Sequence, residues 1–304
     1  MQVIQSASDL QQNGKGSFVA IGKWDGIHRG HQQLIRHIVT SARKNNCQSI
    51  VISFDRHPLS LLKPGSEPYQ LQSTRERSEM LAALGVDVHL VLPFTKEFVN
   101  LSPEAFVTTV LGEINAYEVM IGYNFRFGKK RRGTPELLKT LCAPLHINVE
   151  VAPPIYIENE KVSSTLIREY LQKGEVEKAS NLLGRPAILN GTGNLLPSKT
   201  GEEGNWFELL LAPSSRFIGS GTYTVKMENC SNGVSANALL LVKEKGKYFL
   251  YVKKSFLSKS SQPFRVHLLF RENKDRQIGK YLHQHIEQLE MTAESSKNEL
   301  YLSI

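Results

Sequence analysis

Phe18-Val-Ala-Ile21-Gly22-Lys23-Trp24-Asp25-Gly26-Ile27-His28-Arg29-Gly30-His31 leads from an apolar run through a glycine-rich turn into Gln32-Gln-Leu-Ile-Arg36, whose period is helical. Such a turn lets the backbone approach a ligand closely, and the helix that follows aims free amides and positive potential at it. This pattern points to a phosphate site. His28 and His31 are three residues apart, so both can face one ligand, and Gly30 between them leaves room for a base or ribose against the backbone. Two surface histidines in a loop are the plain alternative. The apolar strand before them and the helix after them favour the ligand.

Outward from this turn, short apolar runs alternate with helical segments. Phe18–Ile21, Ser49–Ser53, Val88–Leu92, Tyr117–Ile121 and Ile147–Val151 have the pattern of strands, and His31–Lys44, Thr74–Leu84, Pro103–Leu111 and Pro135–Leu141 that of helices. Ser102-Pro103 and Thr134-Pro135 supply helix start signals. Strand and helix in alternation predict an α/β fold, a doubly wound parallel sheet that binds ligands outside the carboxyl ends of its strands. Ser163–Tyr170 and Glu175–Leu183 have the spacing of two more short helices, and Gly184-Arg-Pro186 stops the second. From Ala187 onward the texture changes to short strands, Trp206–Leu211, Thr222–Met227, Ala238–Val242, Lys247–Val252 and Phe264–Phe270, with a final helix over about Gln277–Glu290. The expectation is an N-terminal domain over residues 1–185 and a small antiparallel β-barrel domain with a C-terminal helix over 186–304.

A chain of 304 residues suits two domains, and 40% hydrophobic with 22% charged residues excludes a wholly disordered or fibrous chain. No stretch approaches the roughly 18 apolar residues of a membrane span, and Met1–Asp9 lacks the charged and apolar regions of a secretory signal. A soluble, cytoplasmic protein with no membrane partner is therefore expected. Cys47, Cys142 and Cys230 lie far apart and odd in number, which suits neither a disulfide framework nor a zinc site. With 37 Lys and Arg against 29 Asp and Glu, the net charge of +8 favours anionic partners.

Gly22–His31 resembles the H-x-G-H signature of the nucleotidyltransferase superfamily, and it is similar to the G-x-F-D-G-x-H-x-G-H form of the prokaryotic FAD synthetases, which are usually fused to a riboflavin kinase. Further blocks are similar to that family in order: Ser53-Phe-Asp-Arg-His-Pro58, Phe94-Thr-Lys-Glu-Phe98 with Leu101-Ser-Pro-Glu-Ala-Phe106, Ile121-Gly-Tyr-Asn-Phe-Arg-Phe-Gly128, and Val162-Ser-Ser-Thr-Leu-Ile-Arg168. Trp24 stands where the family has Phe, and Arg56 where it has Pro. The resemblance spans about residues 15–190 and implies a Rossmann-like nucleotidyltransferase domain that transfers AMP from ATP, with Mg2+, to FMN, giving FAD and pyrophosphate. It assigns ATP to Gly22, Lys23, Asp25, Gly26, His28, Gly30, His31, Ser163, Ser164, Thr165 and Arg168. It assigns the flavin to Phe54, His57, Pro58, Phe98, Asn124 and Arg126, and catalysis to His28, His31, Asn124, Ser164 and Arg168. No separate protein cage for the metal is expected. Arg126, Lys129, Lys130, Arg131 and Arg132 form either a solvated face or a basic loop over the triphosphate.

In the family the second domain carries a P-T-A-N motif and a glutamate base in E-x-H-L-L. Gly191-Thr-Gly-Asn-Leu-Leu-Pro197 through Gly204 contains no P-T-A-N, and Arg265-Val-His-Leu-Leu269 has arginine in the base's place. An arginine cannot take a proton from a hydroxyl at neutral pH, so the barrel is expected to lack kinase activity. Eight basic residues against two acids between Lys253 and Lys280 raise an alternative, a flavin-linked RNA-binding or regulatory protein on a degenerate scaffold; an adenylyltransferase for another phosphorylated substrate is a second. No aromatic-basic RNA-binding motif accompanies those charges, so nucleic acid is not the expected partner. Nothing in the sequence specifies an oligomer.

Overall fold

The computed structural model describes residues 1–11, 16–196, 204–211, 218–243, 246–253 and 262–272. The chain divides into two compact units, Met1–Ser164 and Thr165–Ile304. This division follows packing, whereas the expected boundary after residue 185 follows the change from α/β to all-β texture.

The first unit is built on six parallel strands, β1 (Gln2–Ile4), β2 (Ser17–Ile21), β3 (Gln48–Phe54), β4 (Val88–Leu92), β5 (Ala116–Gly122) and β6 (Asn148–Ala152), in the order β1-β4-β3-β2-β5-β6. Five match the sequence pattern. The sixth, β1, is a three-residue edge strand beside β4, too short to show a period. Helices α1 (Arg29–Asn45), α2 (Pro58–Leu62), α3 (Thr74–Ala83), α4 (Lys96–Val99), α5 (Pro103–Phe106) and α6 (Pro135–Cys142) connect the strands. Alternation along each buried strand feeds two cores. Val19, Ile21, Ile50, Ile52, Val119 and Ile121 pack with Phe106, Val107, Val110 and Leu138 on one face. Phe18, Ala20, Val51 and Met120 pack on the other with Ile35, Ile38, Val39 and Ala42 of α1 and Leu81 of α3. The α1 residues recur at helical spacing, so one stripe of the helix meets the sheet.

Local chemistry sets the helix boundaries. Ser73 and Glu76 form a capping box at the start of α3. Ser102 and Thr134 cap α5 and α6, each followed by proline. The expected helix Pro103–Leu111 is real but changes pitch, with an α-helical Pro103–Phe106 followed by a π-helical Val107–Gly112.

The hairpin β7 (Tyr156–Ile157) and β8 (Glu160–Lys161) ends the first unit. Helices α7 (Ser164–Lys173) and α8 (Val176–Leu183) follow, and α8 packs on two strands of a barrel, Ala187–Leu195 and Gln262–Arg271. The barrel is closed and antiparallel, made of β9 (Ala187–Leu195), β10 (Gly204–Leu211), β11 (Gly221–Asn229), β12 (Ser235–Lys243), β13 (Lys247–Lys253) and β14 (Gln262–Arg271), in the order β10-β13-β12-β11-β14-β9. Its interior is filled by Phe207, Tyr223, Val225, Met227, Leu240, Leu250, Phe264 and Val266, all buried. The expected helix over Gln277–Glu290 lies outside the described residues. Among those described, no helix is long and apolar enough to cross a membrane.

His89 sits wholly buried on β4, bonded through Nε2 to Ser53 Oγ at 2.7 Å and through Nδ1 to Ser78 Oγ at 2.8 Å. Burial, with Arg77 nearby, pushes its pKa down to about 4. In the unfolded chain the same imidazole titrates near 6.5. The unfolded state therefore binds more protons between these values, and stability is full above pH 6.5 and falls as the pH drops toward 4, by about 3 kcal/mol. Chemical denaturation at a series of pH values should show a shallower loss for His89→Asn than for the wild type. Parallel curves for the two would contradict this account.

Candidate active site

In the first unit, the stretches that the sequence singled out follow the carboxyl ends of β2, β3, β4 and β5. Gly22, directly after β2, donates its N–H to Ile52 O on β3 at 3.2 Å. Two residues on, the Trp24 indole N–H donates to the same carbonyl at 2.8 Å, and the ring is 2% exposed. A side chain at position 22 would press on that ring, since an added Cβ would lie 3.0 Å from it, which is why the position is glycine. Trp24, Gly26 and Ile27 all have positive φ, at 53°, 84° and 35°. For a β-branched residue this is unfavourable backbone, and it persists because the surroundings over-determine it. Ile27 is fully buried, and its carbonyl accepts from Gln32 Nε2 at 2.9 Å.

The turn delivers His28 to the N-cap of α1, where its Nδ1 accepts from the His31 backbone N–H at 3.3 Å. An accepting Nδ1 carries the lone pair, so the ring's proton resides on Nε2, a neutral donor. The His28 and His31 rings stack with centroids 3.6 Å apart, and Trp24 packs edge-on to His31 at 5.0 Å. Burial, then His28 and the Arg77 guanidinium, hold the His31 pKa well below the ordinary value. His31 Nδ1 is buried without a hydrogen-bond partner. The site thus opens with two neutral imidazoles at a helix N-terminus.

Beside them, Lys23, Asp25, Phe54, Arg56, His57, Gln70 and Arg77 line a small open cleft. Three fixed cations against one carboxylate make it a place for an anion. Asp25 accepts from Leu71 N at 2.9 Å, and its own carbonyl accepts from Ser164 Oγ at 2.8 Å. Arg77, 6% exposed, donates to Phe54 O at 3.1 Å. His57 caps α2 by accepting from Leu59 N at 3.1 Å, and Pro58 opens that helix. Asp55 accepts from Phe94 N at 2.8 Å and pairs with Arg56 at 3.1 Å. These contacts outweigh the upward push of burial and leave its pKa below the usual carboxylate range.

An aromatic run continues from the cleft wall. Phe54 meets Phe94 at 5.4 Å and Phe98 at 5.6 Å, Phe98 meets Phe106 at 6.1 Å, Phe106 meets Phe127 at 5.2 Å, and Phe127 stacks with Phe125 at 5.6 Å. Phe54, Phe98 and Phe125 are only partly buried against the core, so their rings offer flat apolar surface.

Of the sequence-derived candidates, Lys23, Asp25, Phe54 and His57 share the cleft wall, with Gly22, Gly26 and His28 in the adjoining turn, Gly30 and His31 at the start of α1 and Phe98 touching Phe54. Asn124 and Arg126 stand exposed on the turn after β5 and are not part of that wall; the Arg126 guanidinium donates to Phe125 O at 2.7 Å. Lys129, Lys130, Arg131 and Arg132 are exposed too, and Lys130 and Arg131 have positive φ. Ser163 and Ser164 end the first unit; Thr165 and Arg168 belong to the second, on α7. Gln70 and Arg77 went unrecognised in the sequence. An arginine inside a helix pattern suggests a solvent face, whereas this one is buried and donates to the Phe54 carbonyl.

In the barrel, Arg265 lies opposite Glu228 on β11, with Nη1 3.9 Å from Oε2, and His267 Nε2 approaches the same oxygen at 3.7 Å. Gly191 and Gly193 are packing glycines: an added Cβ would strike Leu210 O and the Phe264 ring, respectively. Residues 197–203 of the stretch that lacks P-T-A-N lie outside the described residues. Of the eight basic residues between Lys253 and Lys280, Arg271 bonds to Lys173 O and Ser220 O, each at 2.8 Å. Lys254, Lys259, Lys274, Arg276 and Lys280 lie outside the described residues.

Comparison with known proteins agrees with this geometry. The FAD synthetase family model matches residues 10–166. The bifunctional riboflavin kinase/FMN adenylyltransferase of Buchnera aphidicola subsp. Acyrthosiphon pisum is 33% identical, over 76% of this chain and 74% of that one. The FAD synthetase of Listeria monocytogenes is 35% identical, over 63% of this chain and 78% of that one. Among solved structures, one described as a macrolide-efflux protein from Streptococcus pneumoniae is 27% identical, with a TM-score of 0.73 over 89% of this chain and 98% of that one. With more than half of its length matched, and with the strained turn, the paired histidines and the cationic cleft in one parallel sheet, the chain belongs to the FAD synthetase family.

Proposed function

We propose that this protein is a cytoplasmic FMN adenylyltransferase, transferring AMP from ATP to the phosphate of FMN to yield FAD and pyrophosphate, and that it does not phosphorylate riboflavin. The observation that carries the adenylyl transfer is the turn, with its stacked neutral histidines, opening beside a cleft with three cations. The nucleophile is already an anionic phosphate oxygen, so no general base and no covalent intermediate are needed. Alignment of two polyanions and stabilisation of charge on the α-phosphate and pyrophosphate suffice. His28, as a fixed Nε2–H donor, and His31 serve the α-phosphate. Gly22, Gly26 and Gly30 admit the nucleotide against the backbone, with Lys23 and Asp25 beside it. Ser163, Ser164, Thr165 and Arg168 are assigned to the leaving pyrophosphate. The flavin goes to Phe54, His57, Pro58 and Phe98, and Asn124 and Arg126 are assigned to its ribityl phosphate.

Mg2+ is proposed to arrive with ATP. Asp25 and Asp55 already accept protein donors, so the ion's oxygen ligands fall to phosphate and water, in keeping with its reluctance to shed its hydration. Bound there, it would neutralise phosphate charge.

Incubation with ATP, Mg2+ and FMN should yield FAD, and inactivity of the pure protein with both oxidised and reduced FMN would overturn the proposal. His28→Ala or His31→Ala should each lower turnover by roughly 10²-fold, the usual effect of removing one preorganised donor. A loss below about threefold removes that histidine from the chemistry. By NMR titration His31 should change protonation well below pH 6.5 in the free protein, and bound ATP should move it upward, because a polyanion favours the imidazolium. No upward movement on saturation with ATP would place the phosphates elsewhere.

The absence of kinase activity follows from Arg265, paired with Glu228 at the position where a base would be needed. Riboflavin, ATP and Mg2+ should give neither FMN nor FAD at enzyme levels that convert FMN. Arg265→Glu should fail as well, since the Thr-Asn pair is still missing. Product abolished by a barrel mutation but not by His31→Ala would mean a working kinase.

A further inference from the structure

Under the middle of α1, three side chains converge that the nucleotide chemistry does not use. Glu118 is the third residue of β5 and Glu150 the third of β6, and the alternation that sends Val119 and Val149 into the opposite core turns both carboxylates toward α1. His37, midway along α1, meets them there. Its Nε2 is 3.8 Å from Glu118 Oε1 and 3.6 Å from Glu150 Oε2, and the three atoms all lie within 4.8 Å of one another. Among the described residues this is the one group of His, Cys, Asp or Glu side chains so disposed.

Glu118 is 8% exposed. Its Oε2 accepts from Asn148 Nδ2 at 3.0 Å, and its Oε1, also buried, has no hydrogen-bond partner. A buried carboxylate oxygen without a donor is unfavourable and calls for a reason. The imidazole does not supply one, because 3.8 Å is too long for a hydrogen bond. Ligand atoms at about 2.1 Å from a tetrahedral ion would instead stand about 3.4 Å apart, close to the separations observed.

We propose that His37, Glu118 and Glu150 form a binding site for a divalent transition metal of the zinc class, with a fourth position left to water. An imidazole with two carboxylates suits such an ion, whereas Mg2+ prefers oxygen alone and octahedral geometry. Asn148 is the positioning residue: by holding Oε2 it turns Oε1 toward the ion. The bound metal ties α1 to β5 and β6 and neutralises the two carboxylates.

The full chain, stripped with a chelator, should take up one equivalent of Zn2+ in calorimetry that His37→Ala and Glu150→Gln each lose. Both are half-exposed positions where the fold should survive, as circular dichroism would verify. Co2+ should give the visible bands of a four-coordinate ion in the wild type and not in either variant, and Asn148→Ala should bind roughly 10- to 100-fold more weakly. Zn2+ should raise the melting temperature of the wild type and leave that of His37→Ala unchanged. Absence of binding by the wild type, or an equivalent retained in both His37→Ala and Glu150→Gln, as from the histidines of the cleft, would overturn the proposal.

Discussion

The Ile52 carbonyl, accepting from both Gly22 N–H and the Trp24 indole, is the contact on which the first unit's chemistry depends. It pins the turn after β2 to the neighbouring strand while the backbone passes through positive φ at Trp24, Gly26 and Ile27. Unfavourable dihedrals of this kind cost on the order of 1–3 kcal/mol each and persist only where packing leaves no alternative. Here the packing is a tryptophan and an isoleucine, both buried in the same core as α1. A looser turn would start α1 elsewhere. His28 would then no longer cap it, and the two imidazoles would not stack.

That arrangement divides the electrostatic work. Neutral imidazoles and backbone amides stand at the helix start, and the fixed cations Lys23, Arg56 and Arg77 stand on the cleft wall. Arg77 contributes twice: it adds positive charge to the cleft, and it helps keep His31 and His89 neutral. Under the proposed function, the cations would attract a polyanion from a distance, and neutral donors would hold it without the rearrangement that titrating groups would bring.

Most of this frame was legible in the sequence because its signals are local. The buried strands are continuous apolar runs, α3, α5 and α6 begin with Ser or Thr caps, and the glycine turn sits between strand and helix. What escaped depends on distant partners. β9 carries Asn190, Gly191, Gly193 and Asn194, poor strand formers by composition, yet the glycines are required by Leu210 O and the Phe264 ring across the barrel. Arg77 lies inside the fold because Asp25 and the Phe54 carbonyl await it there, which no periodicity reveals. For the candidate site, the glycine turn and the aromatic block at Phe54 were readable as motifs, but Gln70 lies in a loop with no pattern.

The two tryptophans of the chain fall one to each unit, Trp24 in the turn and Trp206 on β10 of the barrel, where it packs with Leu241 and Phe249, and both are 2% exposed. Each unit therefore carries its own optical label. Trp24, with its N–H bound to a carbonyl and its ring against His31, reports on the turn, and Trp206, beside Tyr251, reports on the barrel. With one indole replaced at a time, emission from the other follows the melting of a single unit, so that the cooperativity of the whole chain becomes a spectroscopic quantity.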